Sequence, residues 1–262
     1  MKIIQAIATK NRCYLAGRKI TVKGLMLHSV GCPQPDAKVF VNSWNTANAA
    51  VCVHGIIDGN TGDVYQTLPW NHRGWHGGGK CNDTHIGVEM CEPACIKYSG
   101  GDRFTCTNLP AARAVAQRTY DNAVALFAHL CTTYNLNPLA NGVIVSHNEG
   151  HKRGIASGHT DPEHLWKQLG MGYTMDTFRK AVKAAMTSAT TEDPVDEVYN
   201  QKQFIKDVQM ATGAAVDGIA GKETLNKTVT LSAKKNSRHG AVKAVQKYLH
   251  ALNYTEVGKA DG

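Results

Sequence analysis

Apolar and polar positions fall in short blocks whose period changes along the chain, and each change marks an element. Gly24-Leu25-Met26-Leu27-His28-Ser29 is an unbroken apolar run that ends on a histidine. This is the pattern of a buried strand with an imidazole at its exit. Asp36 then stands as the N-cap of a short helix reaching Trp44. Residues 50–57 and 63–68 read as two strands, and Asp58-Gly59-Asn60-Thr61-Gly62 between them is a dense turn signal, so the pair forms a hairpin.

In His85-Ile86-Gly87-Val88-Glu89-Met90 the period is two. Ile86, Val88 and Met90 share one face, while Gly87 and Glu89 share the other. A carboxylate inside such a strand is costly to bury without a partner. Glu89 is therefore either an edge residue in water or an acid/base in a pocket. From Pro110 to Asn135 the period becomes helical. Ala116, Tyr120, Ala123, Phe127, Leu130 and Tyr134 form one stripe at steps of three and four, the face that packs on a sheet. Residues 142–145 make a further β-like run, and a last helix of this region covers 175–187. Strands and helices thus intermix, which predicts an α/β fold: a central mixed β-sheet flanked by helices, followed by a small, mostly helical C-terminal module.

The composition changes near residue 187. Residues 187–197 are small and polar with four acidic residues and no basic one, the signature of a linker. This sets the boundaries at 1–186 for the main domain and 198–262 for the tail. The tail carries a partial repeat. Residues 204–209 precede Val216-Asp217-Gly218-Ile219, and residues 242–249 precede Lys259-Ala260-Asp261-Gly262. Each copy is an amphipathic helix followed by a turn that contains Asp-Gly, and the second copy stops there. A half repeat buries its own face poorly, which is compatible with completion by a partner or by self-association.

Charge narrows the class of partner. The chain of 262 residues carries a net charge of +8, and the tail alone carries +5. Anionic partners follow: nucleic acid, a membrane surface or an anionic cell wall. No basic and aromatic motif of a nucleic-acid binder is present. No apolar run reaches the ~18–20 residues that span a bilayer, so stable membrane insertion is not expected. The first ten residues do not form a secretory signal, so synthesis in the cytoplasm is expected, with any outside role following release. The eight cysteines are expected as thiols. Cys91, Cys95 and Cys106 lack the paired knuckles of strong zinc motifs.

Candidate chemistry concentrates in residues 146–166, with four histidines and one aspartate set among glycines. Imidazole and carboxylate are ligand types of catalytic zinc, which takes three protein ligands and keeps one position for water. His147 and Asp161 can approach one ion from different directions, and His28 is a candidate third ligand. A polar surface loop and a core histidine are the plainer readings of the same residues. His54 lies in a strand near this region, in a structural or substrate-facing role. The loop Arg73-Gly74-Trp75-His76-Gly77-Gly78-Gly79 reads as flexible and cleft-lining.

With those residues in view, positions 1–186 resemble the zinc-dependent N-acetylmuramoyl-L-alanine amidases of type 2, a family that includes phage endolysins and shares its fold with peptidoglycan recognition proteins. The resemblance rests on residues 25–29, on Gly74-Trp75-His76-Gly77, on Ile86-Gly87-Val88-Glu89, and on Ser146-His147 followed by His159-Thr160-Asp161-Pro162. The tail is similar to the peptidoglycan-binding type-1 repeat. The resemblance implies a Zn2+ ion held by His28, His147 and Asp161, and Glu89 handling the attacking water. It also implies His159 as oxyanion donor at a place where many members carry Lys. Tyr65, Trp75, His76 and His54 are expected along the substrate groove. The implied reaction cleaves the amide between N-acetylmuramic acid and L-alanine in cell-wall peptidoglycan, as an endolysin does in host cell lysis. Non-catalytic peptidoglycan binding and zinc peptidase action on the stem peptide are the alternatives.

Overall fold

The computed structural model of the chain describes residues 1–191, 201–232 and 239–251. It divides into two compact units, Met1–Ser188 and Ala189–Gly262. The first unit runs β1 (Ile3–Gln5), α1 (Arg12–Ala16), β2 (Gly24–Ser29), α2 (Ala37–Trp44), β3 (Gly55–Ile57), β4 (Val64–Gln66), β5 (His85–Met90), β6 (Ile96–Gly100), β7 (Arg103–Cys106), α3 (Leu109–Thr133), β8 (Ile144–Ser146), α4 (His147–Lys152), α5 (Glu163–Gln168) and α6 (Met175–Thr191).

Six strands form one mixed sheet in the order β1-β4-β3-β5-β2-β8. Only β3 and β4, the hairpin, run antiparallel; every other neighbouring pair is parallel. Parallel strands are covered on both faces, so their sequences read as continuous apolar runs. The run Leu25-Met26-Leu27 shows why. Leu25 and Leu27 join Ile86, Val88 and Met90 on the face covered by α3 and α6, where Phe127, Trp166, Phe178 and Val182 lie. Met26 points the other way, against Cys81 and Val145. That second face is completed nearer the hairpin by Phe40, Val53, Ile56 and Tyr65.

The fold class and the long helix agree with the sequence. Asn108 caps α3 by accepting from the Ala111 N–H at 3.1 Å, and Ala116, Tyr120, Ala123, Phe127 and Leu130 of the predicted stripe are buried. Asp36 caps α2 as predicted, accepting from the Lys38 N–H at 2.9 Å. Three differences stand out. The predicted strand 50–57 joins the sheet only from Gly55, because Cys52 turns aside to pair with Trp75. Helix α6 runs past Thr187 to Thr191; no helix breaker intervenes before Pro194. The remainder of the predicted linker and the second Asp-Gly turn lie outside the described residues. The short elements β1, α1, β6, β7, α4 and α5 were not predicted.

The second unit contains α7 (Gln201–Thr212), α8 (Lys222–Lys227) and α9 (Gly240–Ala251). Gln209 organises it. Its Nε2 donates to Asp217 Oδ1, Thr224 Oγ1 and the Ile219 carbonyl at 2.7, 2.9 and 3.0 Å, and its Oε1 accepts from the Gly218 N–H at 2.9 Å. One buried amide thus satisfies the Asp217-Gly218-Ile219 turn, with Gly218 at φ 75°, a conformation that glycine adopts without strain. Phe204 of α7 stacks on Tyr248 of α9 at 4.6 Å.

Phe178 is fully buried against Phe127, Tyr120 and Trp166, with ring centroids 5.2, 5.5 and 6.4 Å away. Phe178→Ala is expected to cost the first unit about 3–5 kcal/mol, read as a lower urea midpoint at unchanged m-value.

Candidate active site

Parallel pairing delivers the chemistry to one place. β2, β5 and β8 are adjacent and parallel, and ligand sites in such sheets form beyond the carboxyl ends of the strands. His28 sits near the end of β2, in register with Glu89 on β5. β8 ends at Ser146, which starts α4 with a capping box: Ser146 Oγ accepts from the Glu149 N–H at 3.0 Å, and Glu149 Oε2 accepts from the Ser146 N–H at 3.4 Å. His147 is the first residue of that helix, so the cap fixes its direction. The chain then loops back to place Asp161 beside both imidazoles, just ahead of the cis Asp161-Pro162 peptide bond. The cleft over these groups has a volume of about 860 Å³ and is lined in part by Trp75, Tyr98, His159 and His164.

His28, His147 and Asp161 are buried and converge. The two Nδ1 atoms lie 3.0 Å apart. Asp161 Oδ2 lies 3.3 Å from His28 Nδ1, and Oδ1 lies 3.5 Å from His147 Nδ1. Hydrogen bonds behind the rings assign the tautomers. His76 Nε2 donates to the His85 carbonyl at 3.1 Å, so the neutral His76 ring accepts at Nδ1 from His28 Nε2, 3.0 Å away. Ser157 Oγ donates to the Gly77 carbonyl at 3.2 Å and so accepts from His147 Nε2 at 3.1 Å. Each liganding candidate therefore turns a bare Nδ1 lone pair toward the other and toward a carboxylate. Three acceptors facing one another with no donor among them suit a cation. Burial keeps His28 neutral and holds His76 well below the ordinary imidazole range, with the neighbouring imidazoles adding to it. Burial acts to raise Asp161; with both Nδ1 atoms bare, a cation in the cradle is what would hold its carboxylate ionised.

Glu89 settles as a pocket residue. It is 8% exposed, and its Oε2 has no hydrogen-bond partner among the described residues. Burial, then the charges of Asp161 and Glu92, push its carboxyl well above the usual range. A buried carboxyl in that condition is available to exchange a proton. His159 stacks on His147 at 4.3 Å and leans its Nδ1 to within 3.9 Å of Asp161 Oδ1, with most of its side chain in solvent. It lines the cleft.

The expected groove residues divide. Trp75 lines the cleft and is 40% exposed. His76 also borders it, but both ring nitrogens are committed, so it orients His28 and has no nitrogen left for a substrate. The ring lies over Gly87: a Cβ there would come within 2.3 Å of His76 Cγ, which is why the strand needs glycine at that point. Two expectations are corrected. His54 does not face the groove; it is fully buried, donating from Nε2 to the His72 carbonyl at 2.8 Å and accepting at Nδ1 from the Gly87 N–H at 3.0 Å. Burial lowers it to about 4, so it is a neutral structural brace. Tyr65 shares the sheet face of Ile56 and Glu89 through register, but it packs there with Phe40 of α2, Val53 and Ile56, so the helix covers it and keeps it from the cleft. The loop 73–79 is likewise not loose. Asn82 Oδ1 accepts from the His76 and Gly77 N–H groups at 2.8 and 3.1 Å, and Trp75 and Cys52 exchange both backbone hydrogen bonds.

Several residues of the site were not singled out in the sequence. Ser157 holds His147. Tyr98, from the β6–β7 hairpin, donates to the buried Glu92 Oε2 at 2.7 Å and lies 2.8 Å from His164 Nε2, forming one cleft wall. Burial raises Glu92 to about 6. Ser146-x-x-Glu149 is a capping-box signature and could have located the start of α4. Nothing local marks Ser157 or Tyr98.

Comparison with known proteins agrees with this geometry. The family model for N-acetylmuramoyl-L-alanine amidase (Amidase_2) matches residues 16–164. The N-acetylmuramoyl-L-alanine amidase CwlA of a Bacillus species is 31% identical over 107 residues, covering 34% of this chain and 41% of CwlA. The match thus spans less than half the length of that curated relative. Among solved structures, the Staphylococcus aureus hydrolase AmiA in complex with its ligand is similar in fold, with a TM-score of 0.55 and 18% identity, over 74% of this chain and 87% of that one. The stretch matched by the family model takes in His28, Glu89, His147, His159 and Asp161 and more than half of the residues, and the chain belongs to the N-acetylmuramoyl-L-alanine amidase family.

Proposed function

We propose that the chain is a zinc-dependent peptidoglycan hydrolase that cleaves the amide between the lactyl group of N-acetylmuramic acid and L-alanine. One observation carries this reading: the Nδ1 atoms of His28 and His147 lie 3.0 Å apart and each lies 3.3–3.5 Å from a different oxygen of Asp161, with Glu89 lining the same cleft. The donor set fits the ion. Nitrogen and oxygen ligands at about 2.0–2.1 Å in a tetrahedron lie about 3.3 Å from one another, close to the spacing found. Two imidazoles and one carboxylate would supply three of the four ligands such an ion takes. A bound zinc ion supplies Lewis acidity there, lowering the pKa of a water toward about 7 and polarising a carbonyl.

The chain's own groups do the rest. Glu89 Oε2 takes a proton from the attacking water and returns it to the departing nitrogen. Its raised pKa favours the second half of that cycle. His159, at the open side of the cleft, donates to the oxygen that becomes negative as the carbonyl is attacked. His76 and Ser157 keep the imidazoles of His28 and His147 turned inward. Trp75 and Tyr98 stand on the cleft walls, where sugar and peptide groups are held.

The second unit is read as the wall anchor. The net charge of +5 on residues 198–262 suits an anionic wall, and Met210, Val216, Ile219 and Leu225 are large apolar side chains left exposed there. The protein then acts on the wall after release from the cell that makes it, as a lysin does. Hydrolysis of purified peptidoglycan with labelling of new amino termini tests the bond: an amidase exposes L-alanine, whereas labels at inner stem residues only would sink the assignment.

Asp161→Ala is expected to abolish wall hydrolysis and to leave the protein without zinc after dialysis. Ser157→Ala, which frees His147, should weaken zinc binding about 10–100-fold, measured by competition with a chromogenic chelator. Glu89 must be ionised to accept a proton, and its folded pKa is raised. The acid limb of kcat/KM should therefore lie above the ordinary carboxylate range, with activity lost as pH falls through it. Glu89→Gln should remove that limb together with about 10²–10⁴-fold of the rate. Deleting 198–262 is expected to reduce retention on intact walls in a pull-down while sparing hydrolysis of small soluble fragments; equal retention would remove the tail's assigned role.

A further inference from the structure

A second cavity, of about 430 Å³, lies beside the cleft and is lined by basic side chains. Local sequence explains how they meet. α1 begins at Arg12 and ends where Gly17, at φ 62°, caps it in the left-handed conformation that glycine takes readily. The chain then runs beside residues 72–73: the Arg73 N–H donates to the Arg18 carbonyl at 2.8 Å, and Lys19 bridges His72. Arg12, Arg18 and Arg73 thus border one hollow.

Asp83 is the acid paired with these arginines, and it is outnumbered. Its Oδ1 accepts from Arg73 Nε at 2.5 Å and lies 3.8 Å from Arg18 Nη2. Arg12 Nη2 donates to the Ala50 carbonyl at 3.3 Å. Among the described residues no hydrogen bond takes the terminal nitrogens of Arg18 or Arg73. Arg73 is also held in place. Its side chain is 16% exposed, and its guanidinium carbon lies 5.3 Å from the centre of the Trp75 ring. A fixed guanidinium with free terminal N–H groups is matched to a carboxylate, which it grips through two parallel hydrogen bonds.

The hollow continues the cleft. Trp75 lines both, and Ala50, which takes the Arg12 hydrogen bond, borders the cleft as well. A substrate whose reacting amide lies over His28, His147 and Asp161 therefore reaches the arginines by crossing the indole. Only one arm of that substrate is charged. The lactyl carboxyl is consumed in the scissile amide and the N-acetylated sugars are neutral, so the negative charge lies on the carboxylates of the stem peptide.

We propose that Arg12, Arg18 and Arg73 form a carboxylate subsite for the stem peptide, which leaves the cleft over Trp75. The identity of the ligand rests on the reading of the cleft as an amidase site; the electropositive hollow does not.

The test is calorimetric titration of the full chain carrying Glu89→Gln with a soluble N-acetylmuramoyl pentapeptide, and with the same compound after amidation of every carboxyl. The free acid is expected to bind about tenfold more tightly than the amide, which cannot make the charge-assisted contact. Arg12→Ala combined with Arg18→Ala should erase most of that preference, and Arg18→Glu, at a side chain that is 65% exposed, should reverse it. In the wild-type chain amidation should raise KM about fivefold at equal kcat, the mark of a contact made equally before and during the reaction. Equal affinity for the two compounds overturns the proposal, as does a preference that survives both sets of arginine variants. A loss of the same size in Lys243→Ala, at an exposed lysine of the second unit, marks a general effect of charge and overturns it too. Binding of a glycerol phosphate oligomer that is lost in the arginine variants, while acid and amide bind alike, gives the hollow to a wall phosphodiester instead. Preference for the acid in a wild-type chain that hydrolyses neither compound leaves the subsite standing and defeats the hydrolase reading.

Discussion

Two imidazole lone pairs and a carboxylate held against one another at 3.0–3.5 Å are the constraint to which the rest of the first unit answers. Left alone, three acceptors in a buried setting repel. The surroundings nevertheless force them together: a hydrogen bond from His28 to His76, one from His147 to Ser157, and the backbone N–H of Ser29 approaching Asp161 Oδ2 at 3.4 Å. Each partner removes the alternative tautomer or rotation in which an imidazole could relieve the conflict with its own N–H. A cluster of bare acceptors of this kind could hold a metal ion.

The sheet supplies the rigidity that such a cost requires. β2 lies between β5 and β8, and its residues are buried on both faces. His28 therefore stands on a strand that cannot shift without breaking two ladders. The pairing of His28 with Glu89 places the Glu89 carboxyl beside the cradle through backbone hydrogen bonds alone. On the same face, Gly87 leaves room for His76, and His54 caps the Gly87 N–H. The chain of support runs from His54 and Asn82 through His76 to His28, so residues remote from any substrate decide the direction of one nitrogen.

The cleft walls are built differently. Trp75 comes from a loop tied to Cys52 and Asn82, whereas Tyr98 comes from a two-stranded hairpin that is separate from the main sheet. Tyr98 is nonetheless fixed, because the buried Glu92 and His164 both engage its hydroxyl. A rigid floor with walls on separate elements lets the groove be tuned without disturbing the chemistry below it. The second unit follows the same economy at smaller scale, with one amide, Gln209, satisfying a whole turn.

What the sequence determined by itself is the part carried by period and residue type. The run 24–29, the alternation at 85–90 and the stripe of α3 gave strands, helix and fold class, since burial on one or two faces writes itself into neighbouring positions. The histidine-rich stretch and the resemblance it carries named His28, His147, Asp161, Glu89 and His159. Tertiary structure alone decided the rest. It showed that His28 and His147, 119 residues apart, turn the same ring nitrogen to one point, that Glu89 is in a pocket and not at an edge, and that His54 and Tyr65 are braces of the core. It also brought in Ser157 and Tyr98. Their roles depend on which side chain lies across a space closed by distant segments, and no local pattern records a distance between residues that only folding brings together.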